Sequence, residues 1–311
     1  MKTIHMRHAD LQVPNMALGL LRIADLSDDE VRALVTSARD AGIDYFDHAD
    51  IYGTRLHECE ERFARALRLS SSERDRITLQ TKVGIVPDGG YYDHSYDHLI
   101  TQVEGSLRAL GTDRIDMLLL HRPDALVEPE EVARAFDELY SSGKVRHFGV
   151  SNHTPGQIDL LKTAVTRPIV ANQVQLSITH SPIIAQGIAA NTPDSDQAAV
   201  RDGGGLIDYC RINGITIQAW SPFKSGSGES VLFDRGRHPE LTERIDALAA
   251  QYGVEPEAIA AAWITRHPAD MQVILGTTRP ARVRAAAAGS DLPLTRAEWY
   301  GLFSAAGWHV P

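Results

Sequence analysis

Residues 115–151 read IDMLLLHRPDALVEPEEVARAFDELYSSGKVRHFGVS, and this stretch decides the fold. Ile115 to His121 is apolar at both alternating positions, which suits a strand covered on both faces. Glu128-Pro129 then opens a helix. Proline fits the first helical position, and Val132, Ala135, Phe136 and Leu139 recur at helical spacing until Gly143 stops the run. Val145 to Ser151 is a second strand. Strand, crossover helix and strand form one unit of a parallel sheet.

The same rhythm extends in both directions. Ala17 to Leu21, Tyr45 to Asp47 and Ile77 to Lys82 precede this unit; Ile169 to Gln175, Thr216 to Ser221 and Met271 to Leu275 follow it. That makes eight expected strands. Between them, Asp28-Asp29-Glu30 places acids at a helix start, followed by a stripe of Val31, Leu34, Val35 and Ala38 and a stop at Gly42. Thr154-Pro155 is a cap followed by proline. Eight units with one continuous rhythm predict a single-domain (β/α)8 TIM barrel over residues 1–311, with a doubly wound open sheet as the alternative. Two polar, glycine-rich stretches, 191–205 and 223–238, interrupt the rhythm. They are expected as long loops leaving strands six and seven on the C-terminal face, where barrel active sites lie.

With 311 residues, 43% of them hydrophobic, the chain can bury a sizeable core without disulfides or metals. A formal net charge of -10 argues against nucleic-acid partners and against an anionic membrane surface. No run approaches the ~18 apolar residues of a membrane span. Met1 to Asp10 lacks the apolar core of a secretory signal. Cys59 and Cys210 therefore read as free, buried thiols, and the expected location is cytoplasmic. His48, Asp50, His57 and Glu58 lie close in sequence but have no metal-ligand spacing, so no metal is expected. No G-x-G-x-x-G sits between a strand and a helix, which disfavours a Rossmann cofactor site.

Polar groups cluster at the C-terminal ends of the expected strands. Strand two ends in Asp47-His48-Ala49-Asp50-Ile51-Tyr52-Gly53, strand three in Lys82, and strand four in His121. Strand five ends in Ser151-Asn152, strand six carries Asn172, Gln173 and Gln175, and strand seven ends in Trp220-Ser221. One such residue has a bland explanation. Six strands aiming polar groups at one face is hard to explain by stability alone.

These segments resemble the aldo-keto reductases, closest to the bacterial oxidoreductase branch with HRPD after strand four. GIDYFDHADIYG (Gly42 to Gly53), LQTKVG (Leu79 to Gly84), IDMLLLHRPD, KVRHFGVSNH, NQVQLS (Asn172 to Ser177), QAWSPF (Gln218 to Phe223) and ILGTTRPARVRAAA (Ile274 to Ala287) fall in the family's order. The resemblance implies reduction of an aldehyde or ketone by hydride from NADPH, with NADH left open. Tyr52 would donate the proton. Lys82 would lower the tyrosine pKa by Coulomb attraction, Asp47 would hold Lys82, and His121 would orient the carbonyl. Ser151, Asn152 and Gln173 would bind the nicotinamide carboxamide, and Trp220 would stack on its ring. Ser221 would meet the pyrophosphate; Gly276, Thr277, Thr278, Arg279 and Arg282 would meet the adenosine phosphate. Gly276 replaces a lysine of the best-known members.

The resemblance also implies a monomer. Its alternative reading is a cofactor-binding regulator or channel-subunit-like protein with slow turnover. A barrel lyase using Lys82 as a Schiff base is a third. His48 and Asp50 are expected to hydrogen-bond within their own loop. His94, His98, His153 and His180 are expected at loops or the surface, with His180 facing the substrate mouth. Trp299, Tyr300, Phe303 and Trp308 in the tail either cover an apolar pocket or pack on a helix.

Overall fold

Eight parallel strands close into a barrel in the computed structural model, which describes residues 1–190, 196–198, 204–224 and 232–310. The barrel strands are β1 (Met16–Gly19), β2 (Tyr45–Asp47), β3 (Thr78–Val83) and β4 (Ile115–Leu120), then β5 (Val145–Ser151), β6 (Ile169–Gln175), β7 (Thr216–Trp220) and β8 (Gln272–Leu275). Each pairs with its neighbour in sequence, and β8 closes on β1 through Val273 opposite Met16. All eight expected strands are present, with ends shifted by at most two residues. The open sheet is ruled out by that closure.

Alternation within the strands separates two apolar layers. Met117 and Leu119 join Ala17, Tyr45 and Ile274 inside the barrel, whereas Leu118 and Leu120 join the larger cluster under the helices. Gly149 permits the close approach of β5 to its neighbours. A Cβ there would meet Leu119 Cδ2 at 2.6 Å and the Ala171 carbonyl at 2.7 Å. A hairpin of Thr3–Met6 and Leu11–Pro14, not anticipated from sequence, plugs the N-terminal end with Ile4, Met6 and Val13. Its strands of four residues are too short for a clear periodic signal.

Helix starts follow local chemistry. Ser27 and Glu30 form a reciprocal capping box before Asp28–Asp40, as do Thr154 and Gln157 before Pro155–Leu161. Such caps contribute about 1 kcal/mol each.

One expectation needs correction, and one left open is decided. The stretch 191–205 does not leave strand six directly, because the helix Pro182–Ile188 intervenes. Of this stretch, 191–195 and 199–203 lie outside the described residues, as do 225–231 of the stretch 223–238. The tail aromatics belong to the helical packing. Trp299 stacks on Trp263 at 4.8 Å, their indoles exchange hydrogen bonds with each other's carbonyls, and Phe303 is fully buried against both. Trp308 continues the stack on Phe303, and none of these four lines the main pocket. Among the described residues, no helix is long and apolar enough to cross a membrane.

Candidate active site

The C-terminal ends of the strands converge on one pocket of about 670 Å³. Tyr52 lies on the turn after β2. Gly53 (φ +112°) shapes that turn, and a Cβ there would lie 2.5 Å from Glu58 Oε2. Lys82, at the end of β3, is fully buried. Its Nζ donates to the Asp47 carboxylate at 2.8 Å, the His48 carbonyl at 2.7 Å and the Tyr52 hydroxyl oxygen at 3.0 Å. Three acceptors satisfy the three protons of an ammonium. The imidazole of His121 stands edge-on to the Tyr52 ring, with centroids 6.0 Å apart.

Burial alone pulls the Lys82 pKa down. The Asp47 carboxylate and the Tyr52 oxygen outweigh it and hold the ammonium above the ordinary lysine value. Tyr52 departs from expectation. Burial raises its pKa more than Lys82 lowers it, so the net shift is upward. The physical reason is that removing a phenolate from water costs more than one nearby cation returns when Asp47 also faces the ring oxygen. The phenol therefore holds its proton at neutral pH. Burial, with the charges of Lys82 and Arg122, holds His121 well below the usual histidine range. Its ring is neutral at pH 7, and Nδ1 is buried with no hydrogen-bond partner.

Behind these residues a chain of amides crosses the barrel interior. Asp47 Oδ1 accepts from Gln80 Nε2 at 2.6 Å and Gln173 Nε2 at 3.1 Å. Gln80 and Gln218 exchange hydrogen bonds at 3.0 Å, and the Tyr45 hydroxyl donates to Gln80 Oε1 at 2.7 Å. Gln218 then reaches Gln272, which donates to the Pro14 carbonyl of the plugging hairpin. Gln80 and Gln218 were missed as functional positions, because a glutamine inside an apolar strand carries no sequence signal of its partner. Gln80→Leu is expected to lower the unfolding free energy by about 2–4 kcal/mol, since each buried group left unpaired costs about 1–3 kcal/mol. A denaturation midpoint equal to that of the parent chain would show that the network contributes nothing.

The other expected residues also line this pocket. Ser151 Oγ donates to the Gln173 carbonyl at 2.9 Å, and Asn152 Nδ2 donates to Ser151 Oγ at 2.9 Å. Asn152 Oδ1 accepts from Trp220 Nε1 at 3.1 Å. Asn152 and Ser221 both adopt left-handed backbone (φ +60° and +52°), strain of a kind that concentrates at functional sites. At the far end stand Gly276, Thr277, Thr278 and Arg279, the last directly preceding the helix Pro280–Ala287. Arg282 is tied to Glu257 at 3.4 Å, whereas Arg279 has no ion-pair partner among the described residues. Arg22 and Glu257 also line this end and were not anticipated. Arg22 donates to the Gly276 carbonyl at 2.7 Å.

Several histidine expectations are corrected. Neither ring nitrogen of His48 and neither carboxyl oxygen of Asp50 has a hydrogen-bond partner; His48 instead packs edge-on against Phe63 at 4.9 Å. Burial and the charge of Glu60 push Asp50 well above the usual carboxyl range. His94 and His153 are buried and stack with centroids 6.4 Å apart, because the loops that carry them fold over the barrel rim. Both cysteines are free and buried, and burial pushes the Cys59 thiol to about 11 and Cys210 to about 12.

The donor set suits a dinucleotide. An apolar ring face and amide groups stand at the Tyr52 end, and arginines stand at the other. The Aldo/keto reductase family model matches residues 15–304. The chain is 33% identical over 307 residues to 6-dehydroglucose reductase of Agrobacterium fabrum, covering 95% of each. It is 34% identical to Oxidoreductase YdhF of Escherichia coli, covering 94% of each. The crystal structure of an aldo-keto reductase enzyme from a Medee basin deep-sea metagenome library superposes with TM-score 0.73 at 24% identity. That match covers 98% of this chain and 94% of the other.

Proposed function

The chain belongs to the aldo/keto reductase family, and from that premise we propose that it reduces an aldehyde or ketone to an alcohol with NADPH, Tyr52 donating the proton. NAD(P)H-dependent carbonyl reduction is the chemistry of its family. The observation that carries the finer reading is the contact series Tyr52 Oη to Lys82 Nζ at 3.0 Å and Lys82 Nζ to Asp47 at 2.8 Å.

When bound, the nicotinamide supplies the hydride. The chain's own residues do the rest. Tyr52 remains protonated until negative charge develops on the carbonyl oxygen, and then gives up its proton. Lys82 stabilises the phenolate that results, and its ammonium can replace the lost proton. Asp47, held by Gln80 and Gln173, keeps Lys82 charged in a buried place. Neutral His121 can donate to the carbonyl oxygen without adding a second cation beside Lys82. Ser151, Asn152, Gln173 and Trp220 would hold the nicotinamide, Ser221 the pyrophosphate, and Thr277, Thr278 and Arg279 the adenosine phosphate. An unpaired Arg279 suits a 2′-phosphate, whereas Arg282 already has Glu257.

The test is a panel of aldehydes, ketones and one oxidised sugar, the last because a relative is named 6-dehydroglucose reductase. NADPH and NADH run side by side. The expected result is carbonyl-dependent NADPH oxidation, with NADPH bound about 10-fold or more tightly than NADH. Cofactor binding without turnover across the panel would instead favour a regulator.

A further inference from the structure

We propose that a side cavity opening beside Trp220 holds an anionic group of the substrate, a carboxylate or another oxyanion, with Arg122 as its ion partner. This rests on the reductase reading above and adds a substrate class to it: a carbonyl compound that carries negative charge at a distance from the carbonyl.

The cavity measures about 460 Å³ and shares Arg122, Asn152, Trp220, Ser221 and Lys224 with the main pocket. Arg122 and Lys224 both face it, and no Asp or Glu is among the described residues that line it. This is a local excess of positive charge on a chain whose net charge is -10. Neither cation has an ion-pair partner among the described residues. The nearest acid in sequence to Arg122 is engaged elsewhere: the Asp124 oxygens accept from the backbone N–H of His94 at 3.1 Å and of Leu126 at 2.8 Å.

Arg122 is also positioned. Its guanidinium lies 6.0 Å from the centroid of the Trp220 ring, a cation–π distance. It directly follows His121, so the anion would sit on the same rim as the reacting carbonyl, a few atoms away from it. The remaining wall includes apolar Pro182, Ile183 and Leu206, and a charge-assisted hydrogen bond gains strength beside such surfaces. His153 adds no charge there, because burial lowers its pKa to about 4.

A phosphate of the cofactor is the other source of negative charge, and the experiment separates the two. Steady-state kcat/KM with NADPH is measured on matched pairs, succinic semialdehyde against butanal and 4-carboxybenzaldehyde against 4-methylbenzaldehyde. In the parent chain the charged member is expected to be favoured about 10- to 100-fold, mostly through KM, as expected for a charged hydrogen bond. Added salt should shrink that ratio. Arg122→Gln should bring the ratio near one, and Arg122→Lys should keep part of it, since a lysine retains the charge without the planar fork. The dissociation constant of NADPH is read in parallel from tryptophan fluorescence. If Arg122→Gln weakens NADPH about 10-fold and leaves the substrate ratio as it was, the cation serves the cofactor and the proposal is wrong. Turnover of the neutral members with a parent ratio near one also overturns it, while leaving the reductase reading intact. No turnover of any member removes both.

Discussion

Tyr52→Phe is expected to lower kcat for carbonyl reduction by about 10²- to 10⁴-fold, the usual contribution of a positioned proton donor. NADPH should bind as before. The substitution removes one oxygen and leaves the aromatic ring, so its packing against His121 persists. Lys82 loses one of three acceptors but keeps Asp47 and the His48 carbonyl, so the fold should survive with a small loss of stability. Chemistry and binding are thereby separated in one variant. Single-turnover hydride transfer, followed by NADPH absorbance, and fluorescence titration of the cofactor make the measurement. Turnover within a few-fold of the parent chain would remove Tyr52 from the role proposed for it.

The second large effect concerns acid. Burial lowers His48, His94 and His153 to about 4 and holds His121 well below the usual histidine range. An unfolded histidine titrates at 6.5. These are depressed pKa values, so their contribution to stability is present above pH 6.5 and is lost as pH falls toward 4. Each contributes a slope of about 1.4 kcal/mol per pH unit over that window. Asp50 works in the opposite sense, because its raised pKa favours the folded state as pH falls. The three histidines lowered to about 4 together give on the order of 4 kcal/mol per pH unit, enough to exhaust the ~5–15 kcal/mol of an ordinary domain within a few units. Thermal melts from pH 7.5 to 4 should show a steep fall beginning near 6.5, with unfolding at 25 °C above pH 4. A flat Tm down to pH 4.5 would mean that these rings are hydrated or protonated in the native state.

Much of the site was legible from sequence because its residues stand at strand ends, where a local pattern already says which way the chain is going. Asp47, Tyr52, Lys82 and His121 do meet, and Ser151, Asn152, Gln173, Trp220 and Ser221 line the same pocket. What the sequence misjudged or left open has one cause. The sign of the Tyr52 shift depends on how deeply the phenol is buried, and burial is a property of everything packed around it. His94 and His153 looked like loop residues because they are loop residues; their burial comes from the loops folding onto the rim. Trp299 and Phe303 looked equally suited to a pocket cover and to a helix face, and Trp263 decided between them.

Hydrophobic periodicity, caps and stops are local, so eight strand–helix units and the candidate residues at their ends could be read from residue order alone. Closure of the barrel is not local. Only closure brings Gln218 to Tyr45, 173 positions apart, and Gln173 to Asp47, 126 positions apart. Only the arrangement of loops around Trp220 leaves Arg122 and Lys224 facing a cavity whose described walls carry no acid. Hydrogen bonds, desolvation and unpaired charge depend on which groups end within a few ångströms of one another, and that distance is set by the tertiary structure alone.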